Sequence, residues 1–277
     1  MPHAAPHRLD SLHETKSLVA QREFLAVKSN TEWKMWGRTD PLWAVSAWKG
    51  KNKGGPSPWT DIEFYELGSS DWSDFIVHWE KYGVDNRVGL EIGCGAGHLT
   101  GPMAGYFHSV HALDVSEGMI HYARTHVTEE SVSFHVVNGN KIPLHDASVT
   151  AVFSTHVFQH LDSIDDATSY FREIYRVLGR GGSMMVHLPI LVWPVDVRRS
   201  VKLHYQFIRF LAVFKRALRR RAIARGSFIP LMVMRSYPMD YLYDTLRECG
   251  FREIEISVFV TKSNNDPHPF AMARKGE

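Results

Sequence analysis

The strongest signal for the fold is the segment Val88-Gly-Leu-Glu-Ile-Gly-Cys-Gly-Ala-Gly97. Its first half, VGLEI, is a short apolar run that is typical of a buried strand. Its second half has glycine at every second position, Gly93, Gly95 and Gly97, and a helical pattern follows. Because glycine permits positive φ and lets a ligand approach the backbone closely, this strand, loop and helix predict a ligand-binding turn. The spacing is GxGxG, whereas the dinucleotide-binding fingerprint requires GxGxxG.

Apolar runs alternate with helical patterns after this loop, which predicts right-handed crossovers and a mostly parallel sheet. The expected fold class is therefore α/β, with a doubly wound, seven-stranded sheet. Gly179-Arg180-Gly181-Gly182 is predicted to end one of the helices before the next strand begins. The predicted strands are 88–92, 110–115, 132–137, 149–154, 183–190, 253–261 and 269–275, and the helices lie near 98–106, 117–127, 163–178 and 236–251.

Two segments fall outside the alternating pattern of this core, which is predicted to cover 84–277. Residues 1–83 are rich in Trp and predict a helical extension, with one helix before the Gly/Lys/Pro loop at 50–58 and another near 73–82. Residues 191–236 form an aromatic and basic insertion that we expect to be a helical cap. From Arg198 to Arg225 the insertion holds ten Lys or Arg and no acid.

The composition is that of an ordinary globular protein. The 277 residues include 32 Lys or Arg and 30 Asp or Glu, so the net charge is +2, and 44% of the residues are hydrophobic. A charge near zero argues against DNA as a partner. The two cysteines exclude a disulfide framework and favour a reducing, cytoplasmic compartment. We expect no signal peptide and no membrane span, because no apolar run reaches about 18 residues.

Two carboxylates end the first two predicted strands. Glu91 lies two residues before the first loop glycine, where it would repel a pyrophosphate and attract a cationic ligand. Asp114 follows the glycines by about 20 residues, a position from which an acid can accept hydrogen bonds from both ribose hydroxyls of a nucleoside. The sequence therefore predicts a site for a cationic nucleoside ligand.

The ordered motifs resemble those of class I S-adenosylmethionine-dependent methyltransferases. EIGCGAG resembles the first motif of that family and LDVSEGMI the second, with its acid at Asp114. GNKIPLHDASVTAVFS resembles the third and fourth motifs, and EIYRVLGRGG resembles the segment before the fifth strand. The resemblance covers about residues 84–190 and the last two strands. It implies a Rossmann-like methyltransferase fold, S-adenosylmethionine as the cofactor and S-adenosylhomocysteine as the product.

The resemblance also implies a set of cofactor-binding residues, with one departure. Asn140 stands where the family usually has Asp beside the adenine, but an amide can still accept a hydrogen bond from the adenine amino group through its carbonyl. Met119 either packs on the adenine face or belongs to the core. The implied positions are Glu91 at the methionine ammonium, the backbone of Gly93, Gly95 and Gly97, Asp114 with Val115 at the ribose, Met119, Asn140 and Lys141 at the adenine, and Ser154 and Thr155 at the methionine end.

Two histidines follow the fourth predicted strand in STHVFQHLD. A hydroxyl acceptor loses a proton as it takes the methyl group, and histidine has a pKa suited to accepting that proton. In related small-molecule methyltransferases the histidine of a QHL-like motif can act as the base, which makes His160 the first candidate and His156 the second. The two would share a face if the loop turned helical. Alternatively, His160 stabilises the loop. We expect no metal site, because the Cys and Glu patterns of zinc sites do not accompany the pair.

Acceptor choice is expected to depend on the two variable segments. In the first, Trp33 and Trp36 could offer flat surfaces to a sugar or an aromatic acceptor, or pack structurally. In the insertion, Arg198, Arg199 and Tyr205 are candidate acceptor contacts. The basic, amphipathic insertion is compatible with a cap packed on the core, a helix on an anionic membrane, or a site for an acidic acceptor. Its Leu- and Phe-rich surface would also suit a homodimer contact.

The expected function is transfer of a methyl group from S-adenosylmethionine to an oxygen of a small molecule such as a sugar or specialised metabolite. The first alternative is O-methylation of a lipid or fatty-acid carboxyl group, which needs no base. The second is a non-catalytic partner subunit that binds S-adenosylmethionine, which the Asn140 departure weakly favours.

Overall fold

The structure, a computed structural model, describes residues 29–191 and 234–276. Most of the predicted cap, with Arg198, Arg199 and Tyr205 and the basic segment to Arg225, lies outside the described residues. Residues 29–83 belong to the same compact unit as the sheet.

Helices and strands alternate through the core as the sequence predicts. The helices are α1 (Ser29–Thr39), α2 (Pro41–Val45), α3 (Asp61–Tyr82), α4 (Thr100–Tyr106), α5 (Glu117–His126), α6 (Ile164–Val177) and α7 (Met239–Glu248), with a 3₁₀ turn at Phe158–His160. The strands are β1 (Val88–Ile92), β2 (Ser109–Asp114), β3 (Val132–Val136), β4 (Val149–Ser154), β5 (Leu178–His187), β6 (Ile190–Leu191), β7 (Tyr237–Pro238), β8 (Phe251–Val260) and β9 (Pro267–Lys275).

Seven strands form one sheet in the order β3-β2-β1-β4-β5-β9-β8. The first five are parallel to one another, whereas β9 runs antiparallel to both β5 and β8. The start of β9 therefore lies at the same edge as the ends of the parallel strands. The predicted doubly wound, seven-stranded and mostly parallel sheet is confirmed. A short β6–β7 pairing was not predicted.

The two faces of the sheet carry different helices because side chains alternate along each strand. On one face, Trp72 and Trp79 of α3 pack with Phe153 of β4 and Phe270 of β9 in an aromatic core. On the other face, α6 and α7 pack against β4 and β5, with Phe171 among the contacts. Burial on both faces explains why the parallel strands are near-continuous apolar runs.

Local signals set the helix boundaries, and two predictions of boundaries were wrong. Thr60 and Glu63 form a capping box, so α3 begins at Asp61 and not near 73. The glycine run 179–182 does not end α6 as a separate turn, because the chain passes at Leu178 directly into β5, which includes those glycines. A register shift between Val149 and Ala151 of β4 accommodates this run.

Candidate functional site

The sheet reverses its strand order between β1 and β4, which lie side by side at its centre. In open α/β sheets, ligands bind outside the carboxyl ends of the strands at such a switch point. The residues that follow β1, β2 and β4 therefore lie where a ligand is expected.

The loop after β1 has the backbone that its glycines permit. Gly93, Gly95 and Gly97 have φ values of 76°, 52° and 85°. A Cβ atom on Gly93 would lie 2.1 Å from Val157 Cγ2, and one on Gly95 would lie 2.7 Å from Val45 Cγ2. Both the backbone angles and the close approach thus require glycine, and neighbouring segments cover the loop tightly.

Asp114 closes this loop from the end of β2. The backbone N–H of Gly95 donates to its Oδ2 at 2.9 Å and the N–H of Ser116 to its Oδ1 at 2.8 Å. Asp114 as a residue is half-buried. Desolvation raises the pKa of Asp114 to about 6, against the effect of the backbone N–H groups of Ser116 and Gly95.

Glu91 lies at the end of β1 beneath α4. It is buried, and the Thr100 hydroxyl donates to its Oε2 at 2.6 Å. Desolvation raises the pKa of Glu91 to about 7, and the charge of Asp114 also raises it. The two carboxylates together make the ends of β1 and β2 favourable for a cation.

Asn140 is oriented by α6. Its Nδ2 donates to Asp166 Oδ1 at 3.0 Å, while Asp166 Oδ2 accepts from the N–H and the hydroxyl of Ser163 at the start of the helix. An aspartate at position 140 would set two carboxylates against each other, which explains physically why this chain has the amide. The neighbouring Lys141 is exposed.

The other residues implied by the motifs differ in their surroundings. Ser154 is buried and its hydroxyl donates to Ile92 O at 2.9 Å, so it joins β4 to β1. The buried Thr155 Oγ1 has no hydrogen-bond partner among the described residues. Val115 is half-buried, and Met119 is 1% exposed at the start of α5, which favours a core role for Met119.

Helix α1 crosses the carboxyl edge of the sheet. At its start, the Ser29 N–H donates to Asp162 Oδ2 at 2.9 Å in the loop after β4. One turn later, the Trp33 ring meets the His160 ring edge-on with centroids 5.1 Å apart. Near its end, a Cβ atom on Gly37 would lie 2.9 Å from Met119 N, so the helix passes directly over α5.

The two tryptophans proposed for acceptor contact therefore lie in different environments. Trp33 is half-buried beside the loop after β4. Trp36 is only 3% exposed and packs against Trp43, with ring centroids 5.0 Å apart. The position of Trp36 favours packing, whereas Trp33 remains a candidate for acceptor contact.

The loop after β4 is helical at His160 but not at His156. The 3₁₀ turn begins at Phe158, and His156 has a positive φ of 57°. The condition under which His156 and His160 would share a helical face is therefore not met. His160 is buried, with its Nε2 3.0 Å from Gln159 Nε2.

This loop is held from outside by residues that precede α7. The Arg235 N–H donates to Gln159 O at 2.7 Å, and its guanidinium Nε donates to Leu161 O at 3.2 Å. The Tyr237 hydroxyl donates to Phe158 O at 2.7 Å. Such backbone contacts fix the loop that carries His156.

Three histidines, which we call the histidine group, meet at the carboxyl edge: His156 after β4, His187 at the end of β5 and His268 in β9. The ring centroids of His156 lie 4.4 Å from those of His187 and 5.4 Å from those of His268. The His187 and His268 centroids are 5.5 Å apart. The last two were not predicted as site residues; His187 lies inside the predicted strand 183–190, and His268 directly precedes the predicted strand 269–275.

Within 29–191 and 234–276, no group of three or more His, Cys, Asp or Glu side chains is arranged to hold a metal ion. Over the same part of the chain, no helix is long and apolar enough to cross a membrane.

Comparisons with known proteins agree on one kind of domain. Residues 90–186, about a third of the chain, match the family described as a methyltransferase domain. A malonyl-[acyl-carrier protein] O-methyltransferase of Methylococcus capsulatus is 35% identical over 98 residues, which cover 34% of this chain and 34% of that protein. The match thus spans only about a third of that relative's length.

Longer matches have lower identity. A ubiquinone/menaquinone biosynthesis C-methyltransferase of Desulfotalea psychrophila is 26% identical over 200 residues, covering 68% of this chain and 75% of that protein. The solved structure of magnesium protoporphyrin IX methyltransferase from Synechocystis, with bound S-adenosylhomocysteine, has a TM-score of 0.52 at 15% identity. It covers 80% of this chain and 90% of that one, and it is similar in fold.

Proposed function

Because the chain has a methyltransferase domain within a sheet of the class I methyltransferase fold, we propose that it is an S-adenosylmethionine-dependent methyltransferase that acts on an oxygen of a small molecule. The observation that carries this proposal is the loop after β1. Its three glycines have positive φ, and the Gly95 N–H donates a hydrogen bond to Asp114. The matched family supports it.

The residues at the carboxyl edge fit this cofactor. Asp114 ends β2 beside the glycine loop, where its carboxylate can accept hydrogen bonds from ribose hydroxyls. Asn140 directs its amide nitrogen to Asp166, which leaves its carbonyl oxygen to accept from the adenine amino group. The buried carboxylate of Glu91 would gain from a nearby ammonium or sulfonium, because a cation relieves the cost of ionising it.

S-adenosylmethionine supplies, when bound, a methyl group on a positively charged sulfur. The protein then has to position the acceptor and, for a hydroxyl, receive its proton. His156 and His160 are our candidates for that role. His160 is buried between Gln159 and Trp33, which suits a residue that shapes the loop, whereas His156 is exposed.

Oxygen is favoured as the acceptor atom because neutral imidazoles, which can receive a hydroxyl proton, lie after β4 and β5. The second candidate is a carboxyl acceptor, which the malonyl-[acyl-carrier protein] O-methyltransferase similarity favours. A carboxylate is already deprotonated, so its methylation would not depend on His156. The C-methyltransferase relative makes a carbon acceptor the third arm of the test.

The test begins with calorimetric binding of S-adenosylhomocysteine to the wild type, an Asp114→Ala variant and a Glu130→Ala control at an exposed position. Methyl-labelled S-adenosylmethionine is then supplied with a panel of alcohols and phenols, fatty acids and acyl-carrier thioesters, and quinols. We expect binding that Asp114→Ala weakens about 30- to 100-fold, and label in the alcohol and phenol arm.

Each other outcome has a definite meaning. Label only in the carboxyl arm or the quinol arm replaces the hydroxyl proposal with that acceptor class. Binding without transfer to any acceptor of the panel favours the non-catalytic subunit. Failure to bind S-adenosylhomocysteine would contradict the proposed function as a whole.

A further inference from the structure

His156 has an unusual backbone for its residue type. Its φ of 57° lies in the left-handed region, which costs a non-glycine residue of the order of 1 kcal/mol or more. Such conformations persist where the surroundings impose them, and they cluster at functional sites. The Arg235 and Tyr237 contacts to the following residues supply that constraint here.

His156 is exposed, and desolvation lowers its pKa to about 3. His187 and His268 lie behind it, with 4% and 5% of their surfaces exposed.

His187 contacts His156 through the backbone. The N–H of His156 donates to His187 Nδ1 at 3.4 Å, which makes Nδ1 the acceptor and leaves the ring proton on Nε2. This long hydrogen bond helps to hold His156 in its left-handed conformation. It also fixes the tautomer of a ring that packs 4.4 Å from that of His156.

The tautomer of His268 follows from its neighbours. The oxygen Asn264 Oδ1 accepts from the Asp266 N–H at 2.9 Å and from the Thr261 hydroxyl at 2.9 Å. Thr261 Oγ1, having donated its proton, is free to accept from His268 Nε2, which lies 3.4 Å away. The proton of His268 is therefore on Nε2, and its buried Nδ1 lone pair has no partner among the described residues.

We propose that His156 is the side chain that receives the proton of the acceptor hydroxyl, and that His187 and His268 are positioning residues that hold its ring. This inference rests on the proposed function. As the new oxygen–carbon bond forms, the O–H proton moves to a ring nitrogen of His156. The carbon–sulfur bond breaks, and its electron pair stays on sulfur, so atoms and charge balance.

Desolvation is the main cause that lowers the pKa of His156, and neighbouring imidazoles add to it. The titratable groups that influence it are His268, His160 on the same loop, and His98 after β1, and His187 packs against its ring. Each would repel a proton on His156 if it were itself protonated. Desolvation also lowers the pKa of His187 and of His268, so all three rings of the histidine group are neutral near pH 7.

The experiment follows the imidazole signals by NMR in histidine-labelled protein, with and without S-adenosylhomocysteine, between pH 4 and 8. His156→Asn assigns its own signal, because asparagine tolerates a left-handed backbone. His268→Gln keeps a nitrogen donor for Thr261 but removes the titrating ring. His187→Asn keeps an acceptor for the His156 N–H and serves as the second variant if His268→Gln fails to fold.

We expect His156 to stay neutral well below pH 6.5 in the wild type and to titrate at higher pH, by about half a pH unit or more, in either variant. With an acceptor from the panel, the acid limb of kcat/KM should move in the same direction. A wild-type midpoint near 6.5, or a midpoint that neither variant moves, would overturn the proposal. The titration of the cofactor-free protein decides this even if S-adenosylhomocysteine does not bind.

Discussion

The two halves of the sheet's carboxyl edge carry opposite chemistry. After β1 and β2 lie Glu91 and Asp114, whose pKa values are raised to about 7 and about 6. After β4 and β5, and at the start of β9, lies the histidine group, with lowered pKa values. Desolvation is the main cause in both halves. One half therefore gains from a cation, and the other presents uncharged lone pairs where a proton can be received.

The largest expected effect comes from a substitution in the histidine group that leaves Glu91 and Asp114 unchanged. His156→Asn should lower kcat for a hydroxyl acceptor by about 10²- to 10³-fold, because general base catalysis contributes about that much. The Kd for S-adenosylhomocysteine should stay within about threefold, since His156 is not among the nucleoside contacts. Initial rates of labelled-methyl transfer check the first value and calorimetry the second.

His121→Gln, at an exposed position on α5, is the matched control for His156→Asn and should retain full activity. An equal loss of activity and of cofactor affinity in His156→Asn would contradict the division between the two halves.

The converse substitution alters the carboxylate half of the edge and leaves the histidine group unchanged. Asp114→Ala removes the acceptor of the Gly95 and Ser116 N–H groups as well as the ribose contact. Hydrogen bonds to charged groups contribute about 1.5–3 kcal/mol each, so we expect the Kd for S-adenosylhomocysteine to rise about 30- to 100-fold. Asp114→Asn, which keeps one acceptor oxygen, should lose less. Unchanged affinity in Asp114→Ala would show that the ribose contact lies elsewhere.

The first half could be predicted from the sequence because its parts are close along the chain. Glu91, the three glycines and Asp114 fall within 24 residues on consecutive elements, at spacings that the strand–loop–helix geometry imposes. The same local patterns predicted the strands and the carboxylates that end the first two of them. Even here, the Asn140–Asp166 contact escaped, since it depends on how α6 meets the loop after β3.

The second half could be predicted only in part. His156 was a candidate from its place after the fourth strand, but the three histidines meet only through the sheet topology. His156 and His268 are 112 residues apart, and β9 brings them together by inserting antiparallel between β5 and β8. The conformation of His156 is equally hidden, since the i, i+4 spacing to His160 suggested a helix that the chain does not form. Contacts of this kind are fixed by tertiary packing and leave no local pattern.

A smaller effect is expected at the contact between Asn140 and Asp166. Asn140→Asp would place a second carboxylate 3.0 Å from Asp166, where Asn140 now donates. Repulsion between the two carboxylates should displace the side chain at position 140. We therefore expect the Kd for S-adenosylhomocysteine to rise about five- to tenfold. The double variant Asn140→Asp with Asp166→Asn restores a donor and an acceptor and should recover most of the affinity. Failure of the double variant to recover would disconnect Asp166 from the cofactor site.

The smallest effect concerns stability and follows from the opposite pKa shifts. Glu91 binds its proton more tightly in the folded state than in the unfolded state, where its pKa is about 4.3. Between about pH 4.3 and 7 the folded state therefore holds more protons, and the contribution of Glu91 to stability falls as pH rises. For His98, whose pKa is lowered to about 4, the unfolded state holds more protons below about pH 6.5, so its contribution falls as pH falls.

Glu91→Gln keeps an acceptor for the Thr100 hydroxyl and removes the ionisation. The variant and the wild type should therefore melt at similar temperatures at pH 5, where Glu91 is protonated in the folded state. At pH 8 the variant should melt higher by about 2–4 °C for each kcal/mol gained. Scanning calorimetry at both pH values, with Glu130→Gln as the exposed control, measures the difference. Saturation with S-adenosylmethionine should shrink it, because a bound cation stabilises the ionised Glu91. If the difference in melting temperature between the variant and the wild type were the same at pH 5 and pH 8, ionising Glu91 would cost the folded state no stability. The contrast between the two halves would then rest on the histidines alone.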